Sequence, residues 1–171
     1  TNVSGNEVAY IPASNYFGFD AFAFTVSDGS STSLAATVSI TVVAVNDAPT
    51  ATAQSVSTDE DVVISITLAG IDPDGDSLTY ALGSNPSNGS VSLSGSTVTY
   101  TPAANYNGSD SFTFTVSDGT STSSAATVSI TVAAVNDAPT LSSIGNKSVA
   151  EGSSLSFSLS GSDPDGDGLT Y

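Results

Sequence analysis

The stretch Ser111-Phe112-Thr113-Phe114-Thr115-Val116-Ser117, closed by Asp118-Gly119 and answered nine residues after Gly119 by Val128-Ser129-Ile130-Thr131-Val132, alternates apolar and polar side chains. A period of two is that of a β-strand with one buried face, because successive side chains leave the pleat on opposite sides. Working outward, the same alternation runs through Val62, Ile64, Ile66 and Leu68, then Leu78 and Tyr80, Val91 and Leu93, and Val98 and Tyr100. Between these runs lie Asp72-Pro73-Asp74-Gly75, Ser84-Asn85-Pro86-Ser87-Asn88-Gly89 and Ser94-Gly95. Each is a turn former, through a positive φ at Gly or side-chain capping by Asn and Asp. With an initial strand near Thr52 to Val56, about seven strands fall in roughly ninety residues, the size of an Ig-like sandwich. A composition of 39 % hydrophobic residues with 15 Gly and 7 Pro supports an all-β core and offers little for helices. No Cys is present, which excludes disulfides and thiolate metal sites.

The pattern repeats. Val45-Asn46-Asp47-Ala48-Pro49-Thr50 returns letter for letter as Val135-Asn136-Asp137-Ala138-Pro139-Thr140, 90 residues later. Asp28 to Thr50 and Asp118 to Thr140 differ only at Ser30/Thr120, Leu34/Ser124 and Val43/Ala133. Tandem modules of this kind place function in repetition, spacing and joints. The expected organisation is the C-terminal part of one repeat over 1–48, a complete repeat over 49–138 and the N-terminal part of a further repeat over 139–171. The ends therefore read as falling in mid-module within a longer parent chain, with fraying outside the central repeat. They are also complementary apart from 81–90, so head-to-tail neighbours are expected to be able to complete a module.

Charge is the second signal: 17 Asp and Glu stand against a single cation, Lys147, for a net charge of −16 with no His. Nucleic acid and anionic membranes are poor partners for such a surface, and no apolar run is long enough to insert in a bilayer. The acids gather at Asp59-Glu60-Asp61, at Asp72, Asp74 and Asp76, at Asp20 and Asp110, at Asp28 and Asp118, and in the Asn46-Asp47 and Asn136-Asp137 linkers. Two carboxylates about 5 Å apart repel by ~3 kcal/mol at an effective dielectric near 20. A hard divalent cation relieves this, and Ca²⁺ prefers oxygen ligands of this kind.

Taken together, the Val-Asn-Asp-Ala-Pro linkers, Asp59-Glu60-Asp61, Leu68-Ala69 leading to Asp72-Pro-Asp-Gly-Asp-Ser-Leu-Thr-Tyr80, and the run from Tyr100 to Gly119 resemble the cadherin-like tandem repeats of large bacterial surface proteins, related to cadherin and VCBS-type modules. The resemblance covers essentially the whole chain. It implies tandem Ig-like, cadherin-like Greek-key β-sandwiches on an extracellular protein, stiffened by Ca²⁺ where repeats meet. Carried over residue by residue, the first junction draws on Asp20, Asn46, Asp47, Asp72 and Asp74, assisted by Asp76. The second draws on Glu60, Asp110, Asn136, Asp137, Asp163 and Asp165, with Asp28 and Asp118 as lesser candidates. The cadherin linker pattern Asp-x-Asn-Asp-Asn is not kept, since Ala44 and Ala134 replace its first Asp and Ala48 and Ala138 its last Asn. One or two ions per junction are therefore expected in place of three.

Blander readings stand beside these. Asp-Pro-Asp-Gly-Asp is also a solvated turn, and Gly83, twelve positions on from Asp72, excludes an EF-hand, which needs a Glu there. The Asn-Asp-Ala-Pro segment also ends a strand. Tyr16 and Tyr106, beside Gly, are expected to pin a corner of the sandwich more than to stack on sugar. Catalysis is disfavoured, because His and Cys are absent and the many Ser have no base partner. The expected function is a stalk or spacer of a bacterial adhesin or surface filament. The alternatives are a carbohydrate- or cell-surface-binding module and an accessory domain of a secreted enzyme. Partners are neighbouring repeats, with head-to-tail or lateral assembly opposed by charge until cations screen it.

Overall fold

The computed structural model describes residues 2–171, and side chains from residue 5 onward. The chain divides into two compact units: Thr1–Ala51 with Gly70–Thr79 and Val116–Ser124, and Thr52–Ala69 with Tyr80–Thr115 and Ala125–Tyr171. In the first unit, β1 (Asn2–Ser4) pairs antiparallel with β2 (Glu7–Ala9), and β3 (Gly18–Phe24) with β4 (Ala36–Val42). The middle stretch contributes β5 (Thr50–Thr52), β6 (Gln54–Asp59), β7 (Ile64–Thr67), β8 (Ala69–Ile71), β9 (Thr79–Leu82), β10 (Gly89–Ser94), β11 (Thr97–Pro102), β12 (Gly108–Ser117) and β13 (Ala126–Ala133). Two short strands, β14 (Thr140–Leu141) and β15 (Gly161–Ser162), pair near the C-terminus.

The middle repeat is a β-sandwich. One sheet has the order β10-β11-β7 and the other β6-β13-β12-β9, while β5 and β8 form a separate ladder. The β10–β11 hairpin turns on Gly95, whose φ of 61° is the left-handed value that glycine adopts at no steric cost. Strand β6 runs parallel to β13 from Gln54↔Val128 to Asp59↔Ala133, which carries Glu60 to the C-terminal end of the repeat. The expected alternation is realised: Val98, Tyr100, Phe112, Phe114, Val116 and Val128 are fully buried, with Ile66, Leu68, Ile130 and Val132 nearly so. Each such side chain contributes about 1.5–3 kcal/mol of burial free energy. The intervening Ser and Thr of β13 are exposed.

Three details differ from the sequence reading. The first strand breaks at Ala53, so that β5 pairs with β8 while β6 pairs with β13. Val62 lies outside β7 and is 48 % exposed, because Asp61 takes a left-handed φ of 60° and a turn from Asp59 precedes the strand. Leu78 precedes β9 without joining it. Around these, the corner readings of Tyr16 and Tyr106 hold: each phenol donates to a backbone carbonyl three residues on, of Phe19 at 2.6 Å and of Ser109 at 2.7 Å.

Candidate metal centre

Glu60 follows directly on β6, and its N–H donates to the Ala133 carbonyl at 2.9 Å. Its Oε1 accepts the Val135 N–H at 2.6 Å, which ties the end of β6 to the linker that leaves β13. The side chain is 4 % exposed, and its Oε2 is buried with no hydrogen-bond partner. An unpaired buried carboxylate oxygen is costly, so an arrangement that retains one calls for a partner the polypeptide does not supply. Asp137, in the linker, repeats the situation with a buried, unpartnered Oδ2. The Asp137 N–H meanwhile donates to Asp165 Oδ2 at 2.6 Å. Glu60, Asp137 and Asp165 each bring a carboxylate oxygen within 4.8 Å of the others. Burial against solvent, followed by the charges of Asp165, Asp61, Glu60 and Asp163, holds the Asp137 carboxyl above its ordinary range.

The Asp-Pro-Asp-Gly-Asp segments are organised from within. Asp163 Oδ1 accepts the N–H groups of Asp165 and Asp167 at 3.0 and 3.3 Å, and Asp163, Asp165 and Asp167 form a second close carboxylate group. In the other copy Asp72 Oδ1 accepts the N–H groups of Asp74 and Asp76 at 2.9 and 3.1 Å, and Asp72 Oδ2 is left buried without a partner. Gly75 and Gly166 make both turns possible with φ of 81° and 78°. The linker contact is repeated as well, since the Asp47 N–H donates to Asp74 Oδ2 at 2.7 Å. The turn reading and the ligand reading thus coexist: one oxygen of the leading Asp shapes the loop and the other remains free.

The remaining expected ligands have other duties. Asp110 is 8 % exposed and accepts from the Ser87, Asn88 and Ser111 N–H groups and from the Tyr100 hydroxyl, at 2.9 to 3.0 Å. Asp20 accepts from the Tyr10 hydroxyl and the Ala21 N–H, both at 2.7 Å. Neither belongs to the close carboxylate groups found among the described residues. Hydrogen bonding to Asp20, with a smaller part from burial, pushes the Tyr10 phenol up to about 12 and holds Asp20 down. For Tyr100 burial leads and Asp110 follows, again upward. Asn46 acts as a donor: its Nδ2 reaches Asp118 Oδ2 at 3.0 Å and Ser121 Oγ at 3.2 Å, as well as the Asp47 carbonyl. Asp118 Oδ1 caps its own turn through Thr120 and Ser121, and these bonds with that of Asn46 lower its pKa. Asn136 Nδ2 donates to the Asp137 carbonyl. The latch role of Asp118 was missed in the sequence, where the only hint was the Asp-Gly-[Ser/Thr]-Ser turn shared with Asp28.

The fold and the acidic linkers together define a cadherin-like, Ig-type β-sandwich module. The profile of the bacterial Ig domain matches residues 1–41 and 46–131, more than half of the sequence, and the chain belongs to that family. No curated protein matches it. Among solved structures, human mucin-like protocadherin EC1-2 is similar at 19 % identity and a TM-score of 0.51, over 78 % of each chain. The protocadherin GammaB4 extracellular domain is similar at 16 % identity and a TM-score of 0.52, over 84 % of this chain and 28 % of that one. These likenesses bear out the cadherin-like fold. An endo-fucoidan hydrolase of glycoside hydrolase family 107 is matched at 27 % identity with a TM-score of 0.45, and the chain spans 20 % of its length. Among the described residues no helix is long and apolar enough to cross a membrane.

Proposed function

We propose that the chain is a spacer region of an extracellular or cell-surface protein, built from the modules 1–48, 49–138 and 139–171 and stiffened by Ca²⁺ at its linkers. The observation that carries this reading is the buried, unpartnered Oε2 of Glu60 beside the unpartnered Oδ2 of Asp137. Glu60, Asp137 and Asp165 would hold the ion, with Asp163 at hand. The donors are all hard oxygens, the set that Ca²⁺ takes and softer metals do not favour. The only cation in the sequence, Lys147, is exposed. At the first linker the sequence counterparts of Asp137, Asp163 and Asp165 are Asp47, Asp72 and Asp74, assisted by Asp76, and they are not among the close carboxylate groups of the described residues. When bound, the ion supplies positive charge that joins the end of β6, the linker and the following Asp-Pro-Asp-Gly-Asp turn. The chain's own residues do the positioning, through the Glu60–Val135 and Asp137–Asp165 hydrogen bonds. No catalytic role is assigned, since His and Cys are absent and, apart from Lys147, nothing is available to activate the hydroxyls.

Calorimetric titration of the chain with Ca²⁺ tests this reading. The expected outcome is saturable binding in the ~10⁻⁴ to 10⁻³ M range of extracellular modules, weakened tenfold or more in Asp137→Asn. Binding heats identical in the variant would remove Asp137 from the site.

A further inference from the structure

The first module departs from the middle one on its outward side. Phe17, Phe19 and Val43 stand where the middle module has Asn107, Ser109 and Ala133. Those middle-module positions are all exposed. The exposure of Phe17, Phe19 and Val43, at 54 %, 85 % and 77 %, therefore belongs to the solvent face of the repeat and not to an uncovered core. Strand parity agrees, because Phe22 and Ile40 are the more sheltered residues, while Phe19, Ala21 and Ala23 alternate with them and face Thr41, Ser39 and Thr37 across the ladder. Phe17 and Val43 flank the last pair of that ladder, Gly18↔Val42, and line one cleft of about 220 Å³ together with Tyr16, Asp47 and Asp74.

We propose that this face binds a neutral polysaccharide chain lying along β3 and β4. Exposed phenyl rings beside a row of Thr and Ser hydroxyls match a pyranose, which has apolar C–H faces and polar edges. A net charge of −16 turns away polyanions. A second copy is the poorer occupant. Two paired strands of seven residues present a face about 24 Å long and about 10 Å wide, roughly 240 Å², against about 800 Å² per partner in a stable protein interface. A basic peptide would be drawn to the carboxylate groups, whereas the outward residues of β3 and β4 carry no charge. Phe19 has the opposite parity to Phe22 and Phe24 on β3.

The test is affinity electrophoresis of the whole chain through gels containing neutral glucans, mannans, xylans or galactans, and through sulfated and uronate polymers. The comparison variant is Phe17→Asn with Phe19→Ser, which installs the residues the middle module tolerates at the same places; unchanged melting shows that it folds. We expect retardation by at least one neutral polymer, weakened tenfold or more in the variant. The converse variant, Asn107→Phe with Ser109→Phe, should strengthen retardation. The proposal is overturned if no neutral polymer retards the chain, if the variant is retarded equally, if charged polymers bind better, or if sedimentation shows a dimer that depends on Phe17 and Phe19. Phe17 and Phe19 belong neither to the Glu60 centre nor to the acidic residues of the first linker, so calcium binding should survive in the Phe17→Asn, Phe19→Ser variant and the two readings can fail separately.

Discussion

Phe114 and Phe24 occupy the same place in successive repeats, yet the first is fully buried and the second 48 % exposed. The same contrast separates Val98 from Val8, at 0 % and 42 %, and Val128 from Val38, at 0 % and 36 %. At the other end Leu155, Phe157 and Leu159, which align with Ile64, Ile66 and Leu68, are 44 to 51 % exposed. Local alternation therefore makes a strand amphipathic, but burial comes from the opposite sheet. The middle repeat supplies both sheets, β10-β11-β7 and β6-β13-β12-β9, whereas Leu155, Phe157 and Leu159 lie in no strand among the described residues.

The largest effect that sharpens this contrast is core truncation. Phe114→Ala should lower unfolding free energy by about 3–5 kcal/mol, whereas Phe24→Ala should cost well under half of that; urea denaturation of the two variants separates them. Next comes Tyr100→Phe, which takes one of four hydrogen bonds from buried Asp110 and should cost about 1–3 kcal/mol. Its counterpart Tyr10→Phe, at exposed Asp20, should cost less. Smaller again is Asn46→Ala, which removes the donor shared by Asp118 and Ser121 and should cost about 1 kcal/mol or less, read as a melting shift.

The pH dependence follows from the same Tyr–Asp pairs. Tyr10 ionises near 12 when folded against an ordinary 10.0, so its stabilisation is complete below pH 10 and is lost as the pH rises toward 12. Asp20 and Asp118 are lowered from 3.8; their stabilisation is present above that value and disappears as acid protonates them in the folded state. A stability profile flat between pH 5 and 9 and falling on both sides is expected, and Tyr10→Phe should blunt the alkaline limb. A limb that the substitution leaves unchanged would contradict the Tyr10 assignment.

Most of the sandwich was legible because period-two alternation and Gly- or Asp-based turns report directly on the backbone. What escaped was set by tertiary position. Nothing local distinguishes Val62, in a turn, from Ile64, on a strand. Asp110 and Glu60 are both acids at strand ends, but four donors converge on the first while the second keeps a bare oxygen. Residue type announces a carboxylate, and only the fold decides whether backbone N–H groups have already claimed it. Phe19 was legible from parity alone, since counting by two from Phe22 places it outward.

Glu60 and Glu151 give the sharpest internal control. They align in the repeat, as Asp72 aligns with Asp163, but Glu60 is buried beside Asp137 and Asp165 while Glu151 is exposed. Melting should be measured with and without Ca²⁺ at ten to a hundred times its Kd, where one site adds about 1.4–2.7 kcal/mol, a rise of several degrees. The account predicts that Glu60→Gln abolishes most of this rise and Glu151→Gln leaves it intact. Equal rises in the unaltered chain and in Glu60→Gln would contradict a metal centre built on the buried carboxylate.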